Sequence, residues 1–221
     1  MNRIAFVGGT GPEGMGLALR CALAGEAIVI GSREATRAES TAEKLRMQLR
    51  GAGSSVDVLG RANGDAVDGV NIVALCMPFA GLEPVLRELA PKLSGKILLD
   101  LVNPLVMQKG SFVLQAVAAG SAGELAQQLV PDAYVVSAFK NLSAEELCEL
   151  THTLVGDVVL CGNHDESKRR IVELIGRIPT LRAVDAGGLV NARHLESITA
   201  LLLNLNRRHK AITSIEILGL K

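Results

Sequence analysis

An α/β fold, a doubly wound parallel sheet followed by a small C-terminal α/β lobe, is predicted by three features of this 221-residue sequence. Short aliphatic runs recur, each bounded by Gly, Ser, Asn, Asp or Pro; helix-length segments separate them; a glycine-rich turn joins the first run to the first such segment. Uninterrupted aliphatic runs suit strands buried on both faces, and strand alternating with helix suits parallel βαβ units.

The elements follow in order. Strands are expected at Ile4 to Val7, Ala27 to Ile30, Val56 to Leu59, Asn71 to Cys76, Lys96 to Leu101 and Tyr134 to Ser137. Helices are expected at Pro12 to Leu23, Glu34 to Arg50, Leu82 to Leu93 and Ala122 to Leu129. Residues 1–143 form the sheet domain on this basis and 144–221 the lobe, with strands at Val158 to Cys161 and Leu181 to Val184 and helices at Asp165 to Arg177 and Val190 to His209.

Composition excludes several function classes. Lys+Arg 23 balance Asp+Glu 23, and no basic block offers itself to a phosphate backbone, so nucleic-acid binding is not expected. Aromatic residues are 2% of the chain, too few for stacking platforms. The N-terminal apolar run is too short for a signal peptide, and Ile198 to Leu205 falls far below the roughly 20 residues a membrane span needs. Cys21, Cys76, Cys148 and Cys161 lie far apart with no C-x-x-C pair, and the one Cys–His spacing of note, Cys148 to His152, is isolated. No metal site is expected, and reduced thiols suit a cytoplasmic protein. Gly at 23 of 221 residues is above the ordinary share of roughly 7% and points to tight turns near a ligand.

The sharpest chemical signal is Gly9-Thr10-Gly11-Pro12-Glu13-Gly14, a G-x-G-x-x-G between the first strand and first helix. Gly9 permits the turn, Gly11 lets backbone approach a pyrophosphate, and Gly14 lets the helix pack on the sheet with its N-terminal amides toward the anion. The context makes the sheet Rossmann-type. The second strand ends in Gly31-Ser32-Arg33 instead of the acidic residue that binds a ribose 2′-hydroxyl, and Arg37 follows one turn later. A hydroxyl and two guanidinium groups suit a 2′-phosphate, so NADP(H) is the expected dinucleotide. Two alternatives stand beside this: Arg33 and Arg37 as a solvated helix face, and Glu34 as a displaced ribose-binding carboxylate. Met77, Pro78 and Phe79 after the fourth strand, and Asn103 after the fifth, complete the nicotinamide half; core packing for Met77 and Phe79, and a turn role for Asn103, are their plainer readings.

Five segments together resemble a specific family: GGTGPEG at 8–14, GSR at 31–33, VVSAF at 135–139, CGNHDESK at 161–168 and DAGGLVNAR at 185–193. The chain resembles, over nearly its whole length, the NADPH-dependent F420 reductases (coenzyme F420:NADP oxidoreductases). The first two segments are shared with pyrroline-carboxylate reductases; the last two carry the specificity. The resemblance implies a homodimer in which the deazaflavin F420 lies between the NADP domain and the C-terminal lobe. It places NADP contacts on Thr10, Gly11, Pro12 and Glu13, on Ser32, Arg33 and Arg37, and on Met77, Asn103 and Ala144. Two departures fall on the acceptor side: Lys140, followed by Asn141, stands where some members have histidine, and Gly188 stands where proline is common.

Hydride exchange between the two rings needs proximity and orientation, with no obligatory acid–base pair, and the strand ends offer none. Lys140 and Asn141 are the expected F420 contacts and Arg193 an anion clamp; His194 and Glu196 are the alternative acid–base candidates. Two other functions fit the sequence at this stage: NADP-dependent reduction of an imine or keto acid, and non-catalytic sensing of NADP(H).

Overall fold

The structure, a computed structural model, describes residues 3–220. Its strands are β1 (Arg3–Val7), β2 (Ala27–Ser32), β3 (Val58–Ala62), β4 (Ile72–Leu75), β5 (Ile97–Asp100), β6 (Leu105–Gln108), β7 (Ser111–Leu114), β8 (Tyr134–Ser137), β9 (Gly156–Gly162) and β10 (Leu181–Asp185). Its helices are α1 (Pro12–Leu23), α2 (Ala35–Gly51), α3 (Asn63–Ala66), α4 (Leu82–Leu89), α5 (Ala122–Leu129), α6 (Ala144–Cys148), α7 (Asp165–Gly176) and α8 (Ala192–His209).

Eight strands form one sheet in the order β10-β9-β8-β5-β4-β1-β2-β3. From β3 to β8 all pairs are parallel. β9 joins β8 antiparallel through a short register, Val136 opposite Gly162 and Ser137 opposite Cys161, and β10 runs parallel to β9. The strands of the C-terminal segment therefore continue the same sheet. The chain proceeds outward from β1 through β2 and β3 on one side and from β4 through β5 and β8 on the other, so the order reverses between β1 and β4. Ligands in such sheets sit outside the carboxyl ends at that reversal.

Strand period two sorts the core into two layers. Ile4 and Phe6 of β1 belong to the layer that holds Leu17, Leu45 and Leu174 of α1, α2 and α7; Ala5 and Val7 belong to the layer that holds Leu82, Ala126 and Leu195 of α4, α5 and α8.

Several boundaries differ from the sequence expectation, each for a local reason. β3 starts and ends later because it registers Val58 against Ile28 and Ala62 against Ser32. α4 stops at Leu89, where Pro91 enters a following 3-10 turn, since proline has no N–H for the next helical bond. The β6–β7 hairpin and the short α6 were not anticipated. The hairpin turns on Lys109 (φ 49°) and Gly110 (φ 81°), a two-residue loop with both residues left-handed, here carrying lysine where asparagine is the familiar signal. Asn204 of α8 pins it, accepting from the Phe112 amide at 2.7 Å and donating to the Phe112 carbonyl at 2.8 Å. No helix among the described residues is long and apolar enough to cross a membrane.

Candidate active site

The glycine-rich turn leaves β1 at its carboxyl end. The left-handed residue is Gly8 (φ 70°), one position earlier than the sequence suggests; Gly9 instead lacks room for a side chain, because a Cβ there would sit 2.6 Å from that of Phe6. The turn is tied to its neighbours: the Gly9 amide donates to the Gly31 carbonyl at 3.1 Å and the Gly8 amide to Asn63 Oδ1 at 3.3 Å. Gly14 meets the Gly9 backbone at 2.7 Å from a virtual Cβ, so only glycine lets α1 approach this closely. α1 starts at Pro12 with no side-chain cap, and its first-turn amides are left for a ligand; open space surrounds Gly11.

At the end of β2, Ser32 is buried and its Oγ accepts from the Glu34 amide at 3.3 Å. Arg33 and Arg37 stand exposed at the start of α2, and their guanidinium groups make no hydrogen bond or ion pair among the described residues. Glu34 is the exposed N-cap residue of α2.

A cleft of about 790 Å³ opens at the carboxyl ends of β4, β5 and β8. It brings together Gly11, Pro12, Glu13, Gly14, Met77, Pro78, Asn103, Lys140, Asn141 and Ala144 from the expected set. Gly9, Thr10, Ser32, Arg33 and Arg37 lie outside its lining, along the turn and the β2 end. Phe79 packs against the core layer on the α4 side. Arg193 does not reach the cleft: its guanidinium pairs with Glu124 at 3.0 Å, on the α5 side of α8. Asn103 donates to the Leu101 carbonyl at 3.2 Å, while its Oδ1 is buried with no partner. An unmet buried acceptor costs about 1 to 3 kcal/mol, so a ligand donor there is strongly favoured.

Lys140 lines the cleft, yet its ammonium points into the protein. It is 2% exposed, lies 2.9 Å from Asp100 and 3.6 Å from Glu196, and donates to the Val102 carbonyl. Asp100 accepts from Ser137 at 2.6 Å and from the Val102 amide at 3.0 Å; Glu196 accepts from the Ala122 amide at 2.9 Å, at the start of α5. Thr199 Oγ1 donates to the Lys140 carbonyl at 2.9 Å. The expected contact of this ammonium with an anionic ligand is therefore replaced by an internal network, because both carboxylates outcompete solvent and cleft for it. Asn141 is likewise anchored, donating to the Asp157 carbonyl at 2.8 Å.

Sequence reasoning missed the fourth wall of the cleft. Thr199, Leu203 and Asn206 line it from α8, joined by Arg207 and by Ile212 and Thr213 beyond it. The signal was present: Thr199, Leu203 and Asn206 recur at helical spacing and so share one face of α8. It also missed α6, which Arg20 docks on α1 through its carbonyls Glu146 at 2.8 Å and Leu147 at 3.0 Å, setting Ala144 at the cleft.

Burial pushes Glu196 up to about 7, with Lys140 opposing and Asp100 adding to the rise. A raised folded pKa means that folding favours the protonated form. That contribution is complete below the ordinary value of 4.5 and is lost as pH rises through about 7. Glu196→Gln removes the titration. In denaturant unfolding, the wild type should gain about 1 to 3 kcal/mol on the variant from pH 8 to pH 5; a pH-independent difference would contradict the assignment.

Comparison with known proteins assigns the chain to a family. Residues 3–104 match the family model described as NADP oxidoreductase, coenzyme F420-dependent. The chain is 35% identical to the F420-dependent NADP reductase of Methanocaldococcus jannaschii over 97% of its own length and all of that protein's. It is 36% identical to the enzyme of the same name from Methanothermobacter marburgensis, covering 94% of each. A crystal structure from Arthrobacter sp. FB24, provisionally named an F420-dependent NADP reductase, superposes with a TM-score of 0.80 at 25% identity, over 98% of this chain and 99% of the other. The chain belongs to the F420-dependent NADP reductase family.

Proposed function

We propose that this protein transfers a hydride between NADP(H) and the deazaflavin coenzyme F420. The observation that carries the proposal is a continuous cleft that starts at an uncapped glycine-rich helix N-terminus and ends beneath α8, in a chain whose full-length relatives bear that name. The pyrophosphate lies along Gly9, Thr10, Gly11, Pro12, Glu13 and Gly14. The 2′-phosphate meets Ser32 and the unpaired Arg33 and Arg37. Met77, Pro78, Asn103 and Ala144 surround the nicotinamide, with the orphaned Asn103 Oδ1 accepting from its carboxamide. F420 takes the remaining space against Asn141, Thr199 and Asn206, with Arg207 at the rim as the cation for an anionic acceptor.

When bound, the two rings supply the redox chemistry themselves. The protein's part is to orient them and to exclude water: leucines of α8 close one side, and the buried Lys140 network fixes the strand ends against that helix. Four free thiols suit the cytoplasm. A homodimer is supported by exposed apolar side chains on α8 and the hairpin that packs on it, namely Leu201, Val106 and Met107; light scattering should give twice the chain mass of 23.2 kDa.

Anaerobic mixing with NADPH and oxidised F420 should bleach the deazaflavin absorbance, whereas NADH or a simple flavin should react far more slowly. No bleaching despite tight NADPH binding would shift the function to imine or keto-acid reduction or to sensing. Arg33→Ala with Arg37→Ala should weaken NADPH by about 2 to 4 kcal/mol and leave NADH little changed; an equal loss for both would remove the 2′-phosphate assignment.

A further inference from the structure

Glu13 is the second residue of α1, on the turn where the diphosphate lies. Its side chain lines the cleft between Gly11 and Gly14 and makes no hydrogen bond or ion pair with any other described residue. The neighbouring ammonium, Lys140, is already engaged by Asp100, Glu196 and the Val102 carbonyl. Other charged or titratable groups line the same space, namely Cys76 after β4, Glu145 of α6 and Arg207 of α8, while the buried Asp100 of β5 and Glu196 of α8 lie behind Lys140; Cys148 of α6 donates to the Pro12 carbonyl at 3.2 Å. A free carboxylate thus stands on the turn assigned to the doubly charged diphosphate, with Lys140 already engaged and Arg207 of α8 the other cation in the cleft lining.

We propose that Glu13 holds a proton on its carboxyl when NADP(H) is bound, so that the dinucleotide enters together with a proton and the neutral carboxyl donates a hydrogen bond to the ligand. The inference rests on the cofactor placement proposed above. Desolvation raises the Glu13 carboxyl from 4.5 to about 7 in the ligand-free protein; Lys140 opposes the rise and Asp100 adds to it. A diphosphate beside it raises it further, since like charge disfavours the ionised form. Above about pH 7 the free protein carries a carboxylate that must be protonated on binding, and below that pH it is already neutral. NADP+ affinity should therefore fall as pH rises above 7, approaching tenfold per pH unit. Net reduction of F420 by NADPH consumes one proton besides the hydride, and Glu13 keeps one inside the cleft.

The test is calorimetry of NADP+ binding to the full chain at pH 8 and pH 6, each in two buffers of different ionisation heat, for the wild type and Glu13→Gln. At pH 8 the wild type should take up about one proton more than the variant, and at pH 6 the difference should shrink toward zero. Equal uptake at pH 8 overturns the proposal while leaving the cofactor assignment intact. Failure of NADP+ to bind the wild type at all removes the cofactor assignment and this proposal with it. If Glu13→Gln does not fold, infrared difference spectra of the wild type at pH 8 decide the matter: NADP+ should produce the carbonyl band of a protonated carboxyl, and its absence overturns the proposal.

Discussion

One buried ammonium joins the two halves of the cleft. Lys140 leaves the end of β8, reaches Asp100 and the Val102 carbonyl at the end of β5, and touches Glu196 of α8. Around it every strong acceptor is met: Ser137 and the Val102 amide serve Asp100, and the Ala122 amide serves Glu196. Burying charge is costly unless the partners are complete, and removing one member of such a pair typically costs about 3 to 5 kcal/mol. The network therefore fixes α8 against the strand ends at one spacing, and the height of the cleft follows from it.

That constraint separates the charges that hold the fold from those that meet ligands. The inner cation is consumed within the protein, while Arg33 and Arg37 at the end of β2 and Arg207 in the cleft lining of α8 stand exposed, with no ion pair among the described residues. Between these ends the wall is mostly backbone, apolar side chains and amides such as Asn103 and Asn141. Such a lining suits a reaction in which two cofactor rings carry their own electronics and the protein supplies distance and dryness. Glu13 is the one unpaired carboxyl at the turn, and this is why its protonation is tied to the arrival of the dinucleotide.

The local half of the architecture was legible in the sequence. α1 matches its expected bounds because Gly11, Pro12 and Gly14 mark its start within one turn, and the absence of an acidic residue after Gly31-Ser32 pointed to a phosphate. What escaped depends on partners distant in sequence. Nothing near Lys140 in the chain announces that Asp100 and Glu196 will enclose its ammonium, and an isolated lysine beside a cleft reads as a ligand cation. Arg193 misled in the same way until Glu124 was placed against it. The hairpin turned on Lys109-Gly110, a weak signal, and α6 owes its position to Arg20 reaching across from α1. The two strands assigned to the lobe, β9 and β10, carry ordinary aliphatic patterns, and only their hydrogen bonding to β8 shows that they extend the same sheet.

The central claim is that one cleft holds both rings in direct contact, so that hydrogen passes between carbons without meeting water. Transfer from NADPH deuterated at the nicotinamide C4, one stereoisomer at a time, tests this most directly. One of the two isomers should deliver its label to the deazaflavin C5 intact, and the same reaction run with unlabelled NADPH in heavy water should place no deuterium on that carbon. Loss of label to solvent, or its appearance from heavy water, would contradict a single closed cleft and require a protein group or separate site to carry the hydrogen between the two cofactors.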